Sequence, residues 1–231
     1  MPKSESAALP DKIAQSLKTL IVRGTISPGE HLGQTELASR FGMSKVPIRE
    51  ALKLLAAEGL LRHDRNRGYF VSHLRLDEAM QLYKLRRWLE SELLSTARWP
   101  SEAEIRSFQK RFDQLDELER QKKRSAWTEQ LGRLRYDILD LSPQKLLLRE
   151  ATRLWTLTDR YRALLPREVG ASFERNLIDA LAMRDRNALL AAYHKDRDRV
   201  ETALQQAFEG RDSDDLLGEE FRSELGALSE A

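Results

Sequence analysis

The chain of 231 residues has no cysteine. That excludes disulfides and thiolate metal sites, and it fits a reducing compartment. Histidine is scarce: there are four, and His31, His63 and His73 all fall in the first third of the chain. No apolar run approaches the roughly 18 residues of a membrane span, and Met1–Pro10 is mixed and polar, unlike a signal-peptide core. The expectation is a cytoplasmic protein with no membrane partner. A phosphate-cradling glycine loop is missing too, as is any Ser/His/Asp ordering of the hydrolytic kind, so no enzymatic activity is expected. No internal repeat or low-complexity tract stands out.

What is present is unevenly distributed. Residues 1–75 hold five Lys and seven Arg against seven Asp and Glu, a net +5. The chain as a whole is only +2, which leaves the remainder at −3. Excess positive charge in one segment is what phosphate binding requires. The length is enough for two cores and too much for one small DNA-binding module.

The basic segment carries a legible local pattern. Ile13, Leu17, Leu20 and Ile21 form a helical stripe that stops at Gly24, and Ser27-Pro28-Gly29 turns the chain. Thr35–Phe41 reads as a short helix with Leu37 and Ala38 inward, followed by the tight turn Gly42-Met43-Ser44. Ser44 stands where a helix N-cap is needed, and Pro47 lies in the first turn, where a missing N–H breaks no intrahelical bond. Ile48, Leu52 and Leu55 recur at helical spacing, which leaves Lys45, Arg49 and Lys53 on a separate polar side. After Gly59, two short runs, Leu60–His63 and Tyr69–Val71, predict a two-stranded wing whose tip carries Arg65 and Arg67. Helix, turn, capped helix and basic wing together predict a winged helix-turn-helix over residues 8–74, with duplex DNA as partner.

From residue 76 to 208 no strand is evident. Apolar stripes mark six helices: Leu82, Leu85, Leu89 and Leu93 in the first, then a segment opened by the capping-box pattern Ser101-x-x-Glu104 with Phe108, Phe112, Leu115 and Leu118 inside. Four more follow, ending on Leu189, Ala192, Val200, Leu204 and Phe208. The fold class is therefore an N-terminal winged helix-turn-helix (α+β) followed by an all-α bundle. Residues 209–231 hold eight acidic and two basic residues and read either as an acidic tail or as a short amphipathic helix that packs on the bundle or on a dimer partner.

Gly24-x-Ile26-x-Pro28-Gly29, the run from Leu37-Ala38 through Phe41-Gly42-Met43-Ser44-Lys45 to Pro47-Ile48-Arg49-Glu50-Ala51-Leu52, and Glu58-Gly59-Leu60 with Asn66–Val71 resemble the DNA-binding half of the GntR family. Leu82-Tyr83-x-Leu85-Arg86-x-x-Leu89-Glu90, Arg153-Leu154-Trp155 and Ala180-Leu181-x-x-Arg184-Asp185 resemble that family's FadR-like, FCD-type effector domain. The resemblance implies DNA contacts from Thr35, Ser44, Lys45, Pro47 and Arg49, with Arg67 and Gly68 at the wing tip. Lys45 stands where the family commonly has arginine, and a point charge replaces a planar fork for guanine, so Arg49 becomes the better candidate for the main base contact.

Many FCD domains hold a metal on an Asp and three His. At those positions this chain has Leu131, Arg135, Glu174 and Asp196, so the metal site is lost and no cofactor is expected. His194 lies two residues from the nearest slot, ~200° around the helix, and reads as a surface or hydrogen-bonded residue. An ion pair of Arg135 with Glu174 or Asp196 is expected instead. Arg86, on the flank of a buried stripe, is either an effector-binding cation or the partner of Glu90 four residues on.

These readings imply a homodimer that binds a palindromic operator, with affinity set by a small organic acid held by Arg86, Arg135, Glu174 and Asp196. The alternative is a DNA-binding regulator whose helical domain only dimerises.

Overall fold

The computed structural model describes residues 4–22, 24–162 and 172–209, with their side chains except at 4–8, 124–125, 162 and 172–174. The acidic stretch beyond 209 and the side chain of Glu174 lie outside the described residues. The chain divides into two compact units. Among the described residues, one holds those up to 79 with 157–162 and 207–209; the other holds 80–156 and 172–206.

The first unit holds helices α1 (Ser4–Val22), α2 (Gln34–Phe41) and α3 (Lys45–Ala57) and strands β1 (His31–Leu32), β2 (Leu61–Asp64) and β3 (Gly68–Val71). Ile13, Leu17 and Ile21 of α1 meet Leu37 of α2, Ile48, Leu52 and Leu55 of α3, and Leu32, Leu60, Tyr69 and Val71 around the strands in one apolar core. The helical stripes named above are the residues that bury. The wing is a sheet of three strands, not two. Their order is β1-β3-β2, all antiparallel, with Leu61 opposite Val71 and Asp64 opposite Gly68. The added strand is two residues long, too short to show a pattern of its own, and it exists because His31 and Leu32 pair with Phe70 and Tyr69.

The second unit is helical: most of α4 (Leu76–Thr96), then α5 (Glu102–Arg120), α6 (Arg124–Leu139), most of α7 (Lys145–Arg162), α8 (Ser172–Met183) and most of α9 (Arg186–Phe208). Leu93, Leu94, Phe108, Phe112, Leu115, Leu131, Leu134, Ile138, Leu148, Leu177, Leu181, Leu189 and Tyr193 form its core. Leu85 departs from the expected stripe and is 43% exposed. At 100° per residue it lies on the rim between the inward arc of Leu82, Leu93 and the partly buried Leu89 and the outer side of α4.

The capping box at α5 is formed as its sequence predicts. Ser101 Oγ accepts from the Glu104 backbone N–H at 3.3 Å, and Glu104 Oε2 accepts from the Ser101 backbone N–H at 2.8 Å. The Arg98 guanidinium, with the Ser101 N–H and hydroxyl, holds the Glu104 carboxyl down at about 2. At the end of α4, Arg186 donates to the carbonyls of Leu94, in the last turn, and Ala97, just past it, and stacks 4.1 Å over Trp99. Ser101→Ala is expected to lower the stability of the helical unit by about 1 kcal/mol. Urea denaturation followed by circular dichroism measures it; an unchanged midpoint would show the box to be ornamental.

Candidate nucleic-acid interface and the buried charged cluster

The turn between α2 and α3 depends on Gly42, which adopts φ 62° as the left-handed cap of α2 and donates its N–H to Ser39 O at 3.1 Å. Ser44 then takes the extended N-cap conformation (φ −74°, ψ 163°), but its side chain makes no capping hydrogen bond. The hydroxyl expected to close the helix is instead exposed beside the first turn of α3. Burying Ile48, Ala51, Leu52 and Leu55 turns Lys45, Arg49 and Lys53 outward, and Pro47 stays half-buried between them. Thr35 is exposed in the first turn of α2.

Two residues of α3 carry meaning that the sequence pattern did not single out. Val46 is 60% exposed in the first turn, an apolar group of the kind that meets a thymine methyl in a major groove. Its signal was legible: it falls off the stripe of Ile48, Leu52 and Leu55. Glu50 sits between the cations, 3.5 Å from Arg49 Nε and 3.0 Å from Lys53 Nζ. The hydrogen bond from Lys53 and the neighbouring charges lower its pKa. Glu50 thereby restrains two long side chains that would otherwise sample many rotamers.

At the wing tip, Asp64 Oδ1 accepts from the backbone N–H groups of Asn66 (2.9 Å) and Arg67 (3.1 Å), and these bonds lower its pKa. This side-chain-built turn sets the loop that presents Arg65 and Arg67. Gly68 has φ 94°, and a Cβ there would stand 3.1 Å from His31 Nε2, so backbone conformation and close approach both call for glycine. His31, Phe70 and Arg62 form one row across the three strands, with the guanidiniums of Arg62 and Arg67 5.4 and 5.3 Å from the Phe70 ring. Asp64 and Phe70 were absent from the sequence-based site. The Asp-x-Asn spacing ahead of Gly68 is the signal for the first, whereas the second depends on strand register.

The second unit contains a charged cluster inside its core. Arg86, Glu90, Asp196 and Arg197 are each no more than 4% exposed. Glu90 is its hub: Oε1 accepts from Arg86 Nε at 2.8 Å and from Trp155 Nε1 at 2.6 Å, and Oε2 accepts from the Tyr193 hydroxyl at 2.8 Å. Asp196 Oδ2 accepts from Arg197 Nη2 at 2.5 Å. The Arg86 guanidinium also lies 5.3 Å from the Tyr83 ring centre, and that of Arg197 5.5 Å from Tyr193. Burial alone would raise the Glu90 pKa; the charges of Arg86 and Arg197 and the bonds from Arg86 and Trp155 outweigh it and bring the group to about 2. Burial and the neighbouring Glu90 charge push the Tyr193 hydroxyl well above its usual value.

Arg86 and Asp196 thus share one cluster, through Glu90, Tyr193 and Arg197. Arg135 is half-buried on α6. Arg197 and Tyr193 were overlooked in the sequence, although Tyr193, Arg197, Val200 and Leu204 follow the apolar stripe of α9 and placed a cation in it. His194 is exposed and shares a 3.0 Å hydrogen bond with Ser91 Oγ. The metal positions implied by the FCD resemblance do not fit a cation: Leu131 belongs to the apolar core, Arg135 is itself positive, and Asp196 is held by Arg197. Among the described residues no three His, Asp or Glu side chains gather as a ligand set, and no helix is long and apolar enough to cross a membrane. A groove of about 480 Å³ runs beside α5, lined by Arg106, Gln109, Lys110, Asp113, Gln114 and Glu117. All six come from the solvent side of one helix, and none is an apolar residue.

A winged helix with cations on α3 and on its wing is a DNA-binding type of domain. Residues 9–71 match the gntR family of bacterial regulatory proteins. An uncharacterized HTH-type transcriptional regulator of Bacillus subtilis (strain 168), YdhC, is 43% identical over 74 residues, covering 32% of this chain and 33% of that protein. BphR of Paraburkholderia xenovorans (strain LB400), likewise an uncharacterized HTH-type regulator, is 33% identical over 123 residues, 51% of this chain and 49% of its own length. The chain therefore aligns with a third to a half of such curated relatives. A Rhodococcus sp. RHA1 crystal structure assigned as a GntR transcriptional regulator superposes with a TM-score of 0.74 at 18% identity, covering 87% of this chain and 99% of that one. At that identity the likeness shows the fold: winged helix first, helical region after.

Proposed function

We propose that the chain is a transcriptional regulator, not an enzyme, that binds duplex operator DNA as a homodimer. The observation that carries this reading is the outward row Lys45, Arg49 and Lys53 on α3, joined in the same domain to a wing tip bearing Arg65 and Arg67. Thr35, Ser44, Lys45, Pro47 and Arg49 would enter or flank the major groove, and Arg67 with Gly68 would reach the adjacent backbone or minor groove. A two-fold dimer reads a palindrome because its half-sites must match its own symmetry.

The helical unit would tune that affinity by taking up a small carboxylate at the cluster of Arg86 and Asp196, with Arg135 and Glu174 as the other members of the proposed site. The support is the pair of guanidiniums, Arg86 and Arg197, kept inside a core beside Glu90 and Asp196, since a carboxylate is the natural counter-ion of a buried guanidinium. One observation favours a second reading, in which the unit only dimerises: Glu90 already neutralises Arg86 at 2.8 Å. A thermal-shift screen of small carboxylic acids separates the two. A rise in melting temperature, with release of bound DNA by the same compound, supports sensing; a flat response across the screen supports dimerisation alone. Arg135→Leu is expected either to abolish ligand-dependent release or to lower the melting temperature by several degrees. If neither changes, Arg135 is a surface charge with no part in the site.

A further inference from the structure

The outer side of α4 carries an exposed ridge formed by Gln81, Lys84, Leu85, Trp88, Glu92 and Ser95. At 100° per residue each lies within about 60° of Trp88 around the helix. The opposite face (Leu82, Arg86, Glu90, Leu93) is buried. Trp88 is 60% exposed and Leu85 43%, which leaves the largest side-chain type in the chain in water. Lys84 Nζ lies 5.3 Å from the Trp88 ring centre. Charge is ordered along the ridge: Lys84 stands one turn before Trp88 and Glu92 one turn after it.

We propose that this ridge is a two-fold interface between two copies of the chain, with α4 packed antiparallel against α4 of its partner and Trp88 at the axis. In such a self-complementary contact, a residue a given distance before the axis meets the residue the same distance after it. Lys84 then faces Glu92 of the partner subunit, and Glu92 faces the partner's Lys84, so two ion pairs flank an apolar centre of paired tryptophans. Leu85 widens that centre. A parallel arrangement would set lysine against lysine and glutamate against glutamate, so the charge order itself selects the antiparallel one. The second copy is the occupant because the ridge complements itself; a different protein would have to carry the same order of groups in reverse. The inference rests on the homodimer reading above and supplies its surface.

Sedimentation velocity of the full-length chain over a concentration series tests it. Wild type is expected to dimerise. Trp88→Glu should raise the dissociation constant by about 100-fold or more, since an apolar anchor at an interface centre becomes a pair of like charges. Lys84→Glu should weaken dimerisation by roughly 10-fold, and Lys84→Glu combined with Glu92→Lys should return it close to wild type, because the swap restores both pairs. All three positions are exposed, and helical circular dichroism of each variant checks that the fold is kept. A dimer indifferent to Trp88→Glu, or a double variant no better than Lys84→Glu, overturns the α4 interface while leaving the homodimer reading intact. A wild-type chain that stays monomeric at every concentration overturns both.

Discussion

Replacing Glu90 with alanine is expected to destabilise the helical unit by about 3–5 kcal/mol, the cost of leaving a buried partner charge uncompensated. Glu90 accepts from Arg86, Trp155 and Tyr193 at 2.8, 2.6 and 2.8 Å, so its loss removes the acceptor shared by two buried donors and one half-buried one. Glu90→Gln should recover only part of this, since the amide keeps the shape without the charge. The same cluster predicts acid sensitivity. The Glu90 carboxyl titrates near 2 in the folded protein against an ordinary 4.5. Its contribution is therefore complete above about pH 4.5 and is lost as pH falls towards 2, an effect on the order of 3 kcal/mol. Urea unfolding at pH 7, 4.5 and 3 measures both effects. Equal stability of wild type and Glu90→Ala at pH 7 would mean that the cluster is an incidental ion pair.

Arg49→Ala is expected to cost about 1–3 kcal/mol of operator binding, and most of that loss should be specific. Arg49 is exposed on the outward side of α3, and it is restrained by Glu50 at 3.5 Å without being buried by it. A planar fork held in this way can address guanine O6 and N7 together. Lys45→Ala, which removes a point charge from the first turn, should instead weaken all duplexes about equally and reduce the dependence of affinity on salt. Fluorescence anisotropy with operator and scrambled duplexes separates the two. Equal operator binding by wild type and Arg49→Ala would remove α3 from the recognition role.

The DNA-binding domain was legible because each of its elements is specified locally. Apolar spacing gives α1, α2 and α3, Gly42 gives the turn, and the burial of Ile48, Leu52 and Leu55 then dictates where Lys45 and Arg49 must point. The wing was read less well. Its third strand pairs only two residues, and the Asp64 turn and the Phe70 platform arise from hydrogen bonds and register between strands. In the bundle, six helices followed from periodicity, yet the buried cluster did not. Glu90 lies on α4, Trp155 on α7, Tyr193 and Arg197 on α9, and what joins them is the packing of three helices. Arg86 with Glu90 was visible as an i, i+4 pair; the convergence of the rest on Glu90 was not. Leu85 shows the opposite failure, a residue read as core from a stripe whose rim it only touches.

We propose above all that the first unit reads duplex DNA through α3 and the wing. Selection of the full-length chain on a pool of random duplexes, followed by affinity measurement over a salt series, tests this most directly. The predicted result is enrichment of a two-fold symmetric sequence, bound far more tightly than scrambled duplex, with an affinity that falls steeply as salt rises because several phosphates are neutralised. Failure to enrich any sequence, together with binding that is equally weak on all duplexes and insensitive to salt, would contradict it.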